Sequence, residues 1–167
     1  EVKEHARQNA RESYSNLYQR TGEAWRKRWQ TADIEIAGDD RVQSALRFNL
    51  FQLIQTNSSR DCTVNIGARG IMHGRYKGCY FWDTDIFMLP FYTGTHPEAA
   101  RNLVKYRYLG LEDARENARR MNLKGARYPW MCSINGREQC ESWDIGSSEV
   151  HVTADVAYAV DHYCREA

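Results

Sequence analysis

The sequence predicts an all-α protein, and three observations carry the prediction. Turn residues are scarce: 11 Gly and 3 Pro in 167 residues leave too few for the many hairpins of an all-β domain. Apolar residues recur at spacings of three and four in several segments. Two long glycine-bearing stretches separate those segments, the pattern of a helical barrel or bundle whose loops carry the site.

Taken in order, residues 2 to about 29 are polar and helix-prone, with Leu17, Trp25 and Trp29 as their large apolar points. They are expected to form one amphipathic helix, partly broken at Gly22. Asp39 suits a helix cap, and Val42, Ala45, Leu46, Leu50, Leu53 and Ile54 align on one stripe behind it. Residues 56–77 turn polar and glycine-rich, which predicts a long loop. The run YFWDTDIFMLPFY (80–92) is apolar except at Asp83 and Asp85, so it reads as a buried helix lined by carboxylates and kinked or ended by Pro90. Thr95 and Glu98 have capping-box spacing with Pro97 in the first turn, ahead of a stripe of Ala100, Leu103, Val104, Tyr108 and Leu111. That helix is expected to bend at Gly110 and run to Met121. A second loop spans 124–148, and Val152, Val156, Val160 and Tyr163 share one face of a last helix. About five helices result.

Hydrophobic residues at 42% supply a core, and 27% charged residues give an ordinary soluble surface, so the chain should fold as one domain or one piece of a larger domain. The net charge of +1 creates no field for a polyanion, and neither a nucleic-acid partner nor a membrane partner is expected. No apolar run approaches the roughly 20 residues that span a bilayer, and the opening EVKEHARQNARES has no signal-like apolar core. Cys62, Cys79, Cys132, Cys140 and Cys164 are odd in number and never form a CxxC pair, which disfavours a disulfide framework and a metal site and suits a reducing cytoplasm. The chain begins without methionine and stops at Ala167 inside a helix-like run, so a fragment is expected.

The densest chemistry lies at Gly78–Asp85. An indole packs on the apolar CH face of a pyranose while a carboxylate accepts bonds from vicinal hydroxyls, so Trp82 beside Asp83 suits a sugar pocket. The alternative is equally concrete: Trp82 is core and Asp83 caps the helix that follows. Tyr128-Pro129-Trp130 supplies either a second pocket wall or a structural plug. His73 and Arg75 lie in the glycine loop, where a basic group could meet an anion but is more often solvated. His151, beside Glu149, suits a supporting hydrogen bond. Glu149 and Glu141 qualify by position alone as a carboxylic acid whose pKa a dry pocket would raise. No GxSxG, P-loop, GxGxxG or HExxH occurs.

At these same residues the sequence resembles glycoside hydrolase family 65, inverting phosphorylases of maltose, kojibiose, nigerose or trehalose. The resemblance is carried by Trp25 to Trp29 with Asp33-Ile34-Glu35-Ile36, the ALRFNLFQL core within 39–55, IGARG at 66–70 and FWDTDIFMLPFY at 81–92. HPEAARNLVKYRY at 96–108, KGARYPW at 124–130 and EVHVTADVAYAV at 149–160 extend it. It implies a partial (α/α)6 barrel, about half of the toroid, with residues 1–30 as a linker helix and 31–167 as the first half of the catalytic barrel. It further implies that Trp82 and Asp83 hold the glucosyl unit, with Trp130 near the same pocket, and that the general acid and the phosphate-holding residues lie beyond Ala167. The implied reaction converts an α-linked glucose disaccharide and inorganic phosphate to β-glucose 1-phosphate and a free sugar, without metal or organic cofactor. Cys79 in place of a common histidine, Asp85 in place of glutamate, and Met131 at a variable position bear on acceptor choice. A trehalose- or kojibiose-type hydrolase and a non-catalytic sugar-binding or interaction fragment are the rival readings. Half a barrel leaves apolar faces uncovered, so a homo-oligomer or a complementary segment is expected.

Overall fold

The structure, a computed structural model, describes residues 2–71, 74–140 and 145–167. Seven α-helices account for most of them: α1 (Val2–Arg11), α2 (Tyr14–Ala32), α3 (Asp40–Thr56), α4 (Leu89–Thr95), α5 (Pro97–Leu109), α6 (Leu111–Arg120) and α7 (Val152–Glu166). Among the described residues β-pairing is confined to two isolated antiparallel bridges, Gly67 with Tyr80 and Tyr80 with Cys132. The fold is therefore all-helical, as the sparse turn residues require. Among the described residues no helix is long and apolar enough to cross a membrane. The chain divides into two compact units, Glu1–Leu50 and Phe51–Ala167.

In the first unit the expected single helix is two. The break falls at Glu12–Ser13, where Ser13 is extended and its hydroxyl accepts from the Asn16 amide at 3.3 Å. The helix then continues through Gly22. A serine that satisfies an orphan donor starts a new helix, whereas one glycine inside a long helix costs only about 1 kcal/mol. Asp39 caps α3 as expected, accepting from the Arg41 and Val42 amides at 2.9 and 3.1 Å.

The second unit holds the core: Ile66, Leu89, Tyr92, Ala99, Ala100, Leu103 and Ala159, with Met88, Phe91, Val104 and Tyr163 packed on it. Tyr92 is fully buried, and its hydroxyl donates to the Leu53 carbonyl at 2.8 Å. Pro90 does not end a helix. It sits in the first turn of α4, where its missing N–H costs nothing, and a π-helical turn at Thr84–Met88 leads into it. The Thr95–Glu98 capping box does not form, because the Thr95 hydroxyl donates back to the Phe91 carbonyl and His96 takes the cap position. Pro97 opens α5, and Gly110 separates α5 from α6 as the bend expected there. On α7 the covered face is Val152, Val156 and Ala159, while Val160 is 40% exposed.

Candidate functional site

The site is assembled by one backbone pairing. The Tyr80 amide donates to the Cys132 carbonyl at 2.7 Å and the Cys132 amide returns the bond at 3.0 Å. In an antiparallel register, positions two residues away on each side fall opposite one another, so residue 82 is aimed toward residue 130. The rings meet: the indole centroids of Trp82 and Trp130 are 6.3 Å apart at 46°. Phe81 meets Trp130 edge-on at 6.2 Å, and Phe87 lies 5.6 Å from Trp82. The two motifs separated by more than forty residues thus share one aromatic wall.

A buried ion pair anchors that wall from behind. Asp85, one of the two aspartates in the apolar run, is 4% exposed and bound by Arg107 of α5, whose Nε donates to its carboxylate at 3.1 Å. Arg107 Nη2 also donates to the Phe81 carbonyl at 3.1 Å, and Tyr128 Oη donates to the Arg107 carbonyl at 3.0 Å. One side chain therefore fixes the backbone immediately before Trp82, while its own carbonyl fixes the tyrosine two residues before Trp130. Burial pulls the Arg107 guanidinium toward neutrality, and its neighbours, the Asp85 carboxylate foremost with Cys132 and Tyr106, together more than reverse this, so it is held firmly charged. The signal was in the sequence: Arg107 follows Leu103 by four residues on the buried stripe of α5, where a lone charge requires a partner.

Cys132 is 1% exposed, and burial pushes its thiol up. Tyr106 is raised by the same cause, and its hydroxyl donates to the Ser133 carbonyl at 2.5 Å. These groups are neutral scaffolding. Glu138 secures the 130–140 segment by accepting from the amides of Trp130 at 2.8 Å, Met131 at 3.1 Å and Cys140 at 3.2 Å.

His151, expected only to lend a supporting bond, stands edge-on to both indoles: 4.9 Å from Trp82 at 88° and 5.7 Å from Trp130 at 84°. Its Nδ1 pairs with Asp155 Oδ2 at 2.6 Å, which fixes the ring, and its Nε2 lies 3.8 Å from Glu149 Oε2. Periodicity could not reveal this, because the ring belongs to the residue before α7 rather than to its buried face.

Two polar groups at this wall are left over. The Trp82 indole N–H is buried with no acceptor. Asp83 is exposed and makes no side-chain cap bond to the following turn. The capping alternative for Asp83 therefore does not hold, and the core alternative for Trp82 holds only in part, since the residue is half-buried. Trp130 is also half-buried, with its indole against Gly146, where a Cβ would come within 2.6 Å of the ring. Glu149 is half-buried at the rim. His73, Glu141 and the side chain of Arg75 lie outside the described residues. A cleft of about 380 Å³ lies elsewhere, lined by residues that include Tyr106, Leu109, Asp113, Asn135 and Arg137.

Residues 47–167 match the model of the glycosyl hydrolase family 65 central catalytic domain. The chain belongs to glycosyl hydrolase family 65. It is 46% identical over 150 residues to a kojibiose phosphorylase of Caldanaerobacter subterraneus subsp. tengcongensis, an alignment covering 83% of this chain and 20% of the relative. A maltose phosphorylase of Bacillus subtilis is 39% identical over 151 residues (90% and 20% covered), and an alpha,alpha-trehalose phosphorylase of Geobacillus stearothermophilus is 45% identical over 138 residues (82% and 18% covered). A solved structure named "Putative kojibiose phosphorylase from human microbiome" superimposes with a TM-score of 0.86 at 35% identity, over 92% of this chain and 23% of that one. The chain spans about a fifth of the length of the curated family 65 relatives it matches.

Proposed function

We propose that this chain contributes the glucosyl-holding wall of an inverting α-glucoside phosphorylase, residues 1–30 forming a helical linker of two helices and 31–167 about half of an (α/α)6 catalytic barrel. Trp82 stacks on the sugar ring, Trp130 closes the adjoining side, and Asp83 accepts from vicinal hydroxyls. The observation that carries the reading is the buried Trp82 N–H without an acceptor, next to the exposed Asp83 carboxylate. A buried N–H without an acceptor costs about 1–3 kcal/mol. A hydroxyl-rich ligand supplies that acceptor and, to Asp83, donors. Membership of family 65, with phosphorylases of kojibiose, maltose and trehalose as relatives, supplies the substrate class.

In the reaction, a carboxylic acid outside the wall protonates the glycosidic oxygen while inorganic phosphate attacks the anomeric carbon from the opposite face. The C–O bond to the acceptor breaks as the C–O bond to phosphate forms, giving β-glucose 1-phosphate. Inverting hydrolysis needs a base to activate water, whereas phosphate is already an anionic nucleophile, so one acid suffices. Asp83 orients the ring and stabilises positive charge developing at the anomeric carbon. The free cysteines suit a reducing compartment.

Incubating the complete gene product with kojibiose, maltose or trehalose, with and without phosphate, tests the reading. β-Glucose 1-phosphate is expected only when phosphate is present. Glucose release without phosphate would replace phosphorolysis by hydrolysis, and turnover of none of these α-glucosides would leave only a non-catalytic role.

A further inference from the structure

Arg127 is 4% exposed, and its Nε and Nη1 atoms have no hydrogen-bond partner. No carboxylate pairs with it among the described residues. Its one engaged nitrogen, Nη2, donates to two backbone carbonyls, those of Ser147 and Glu149, the latter at 2.9 Å. The backbone of Arg127 is itself fixed, its amide donating to the Ala114 carbonyl at 2.9 Å and its carbonyl accepting from Asn117 Nδ2 at 3.0 Å. A buried guanidinium with two unsatisfied nitrogens and no counter-charge among the described residues is an expensive way to stabilise a fold, and an apolar side chain of similar volume is often no worse for stability. The geometry supplies a role for Arg127 beyond stability. The two carbonyls belong to the C-terminal half of the 145–149 turn, which carries Gly146 against the Trp130 indole and leads by way of Val150 into His151, which stands against both indoles.

We propose that Arg127 is a positioning residue: by gripping the Ser147 and Glu149 carbonyls it holds the 145–149 turn under Trp130 and sets the spacing of the Trp82–Trp130 wall for a glucosyl ring. This rests on the glucosyl reading of that wall. A planar guanidinium presents both donors of one nitrogen in fixed directions, which neither an ammonium on a flexible stem nor an apolar side chain does. Arg127 acts on the sugar only through the turn, so its loss should loosen binding without unfolding the chain.

The test is a tryptophan-fluorescence titration of the complete gene product with glucose and with kojibiose, for wild type, Arg127→Met and Arg127→Lys, with thermal melting of each. The expected result is saturable binding by the wild type, a melting temperature for Arg127→Met close to wild type, and sugar affinity lowered at least tenfold in Arg127→Met and less in Arg127→Lys. In Arg127→Ala, millimolar methylguanidinium should restore part of the lost affinity. Wild-type affinity in any folded Arg127 variant overturns the proposal while leaving the glucosyl reading intact. Loss of the cooperative melt in both Arg127→Met and Arg127→Lys overturns it as well, because Arg127 would then be a structural residue only. A complete wild-type protein that binds neither sugar overturns the glucosyl reading and this proposal with it.

Discussion

The two units of the chain are held by different means. In Glu1–Leu50 the polar contacts are mostly exposed: Arg20 with Glu12 at 2.6 Å, Arg47 with Asp33 at 2.6 Å, and the Ser13 and Asp39 caps. Its large apolar residues are largely uncovered, Tyr14 at 81%, Tyr18 at 71% and Phe48 at 61% exposure. In Phe51–Ala167 the decisive charges are inside, with Arg107 and Asp85 paired where each side chain is under 5% exposed. The first unit is specified by local chemistry, helix propensity and capping. The second is specified by long-range contacts that join residues 81–85, 106–107 and 128–132, and only there does a candidate site arise.

Perturbing the buried pair should separate the two units most strongly. Arg107→Met strands the Asp85 carboxylate in the interior and is expected to cost about 3–5 kcal/mol, read by urea denaturation followed through tryptophan fluorescence. A midpoint within error of wild type would show that the pair does not anchor the wall. Next in size is Gly146→Ala, whose new Cβ would meet the Trp130 indole within 2.6 Å. Overpacking of this kind costs about 1–3 kcal/mol, and a shifted tryptophan emission should accompany it.

A smaller effect is expected from alkaline pH. Burial raises the ionisation of Cys132, Tyr92 and Tyr106 above its unfolded range. The stability these neutral groups contribute is complete below the unfolded values and is lost as pH rises through the unfolded and then the folded ones. The urea midpoint should therefore fall from about pH 9 upward, where free thiols and phenols begin to ionise. A flat midpoint to pH 10.5 would contradict the burial of these groups. Smallest of all is Arg47→Ala in the first unit. Asp33 is lowered chiefly by its hydrogen bond to Arg47, so its contribution is present above the unfolded carboxylate range and disappears as pH falls through it. The pair is exposed, and the melting temperature should barely change at neutral pH or in high salt.

The same contrast explains what was legible in the sequence. The Asp39 cap, the Pro97 start and the Gly110 bend depend on neighbours within four residues, and all three appear where the residue types place them. The α3 stripe shows the limit of periodicity: Leu50 and Ile54 are buried, but Val42 is 48% exposed, because a helical pattern states which residues align and not what covers them. The break at Ser13 rather than Gly22 turned on capping outweighing flexibility. Within the candidate site, Trp82, Asp83 and Trp130 stood out by residue type. That Tyr80 pairs with Cys132, that Arg107 ties both motifs together, and that His151 faces both indoles all depend on contacts across twenty residues or more, which local pattern does not encode.

A crystal structure of the complete gene product with bound glucose bears most directly on the glucosyl reading. The pyranose should stack on the Trp82 indole beside Trp130, with an Asp83 carboxylate oxygen about 2.7–3.0 Å from ring hydroxyls and an acceptor supplied to the Trp82 N–H. Glucose seated in the cleft lined by Tyr106 and Asp113, or an Asp83 side chain turned away from the ring, would contradict it.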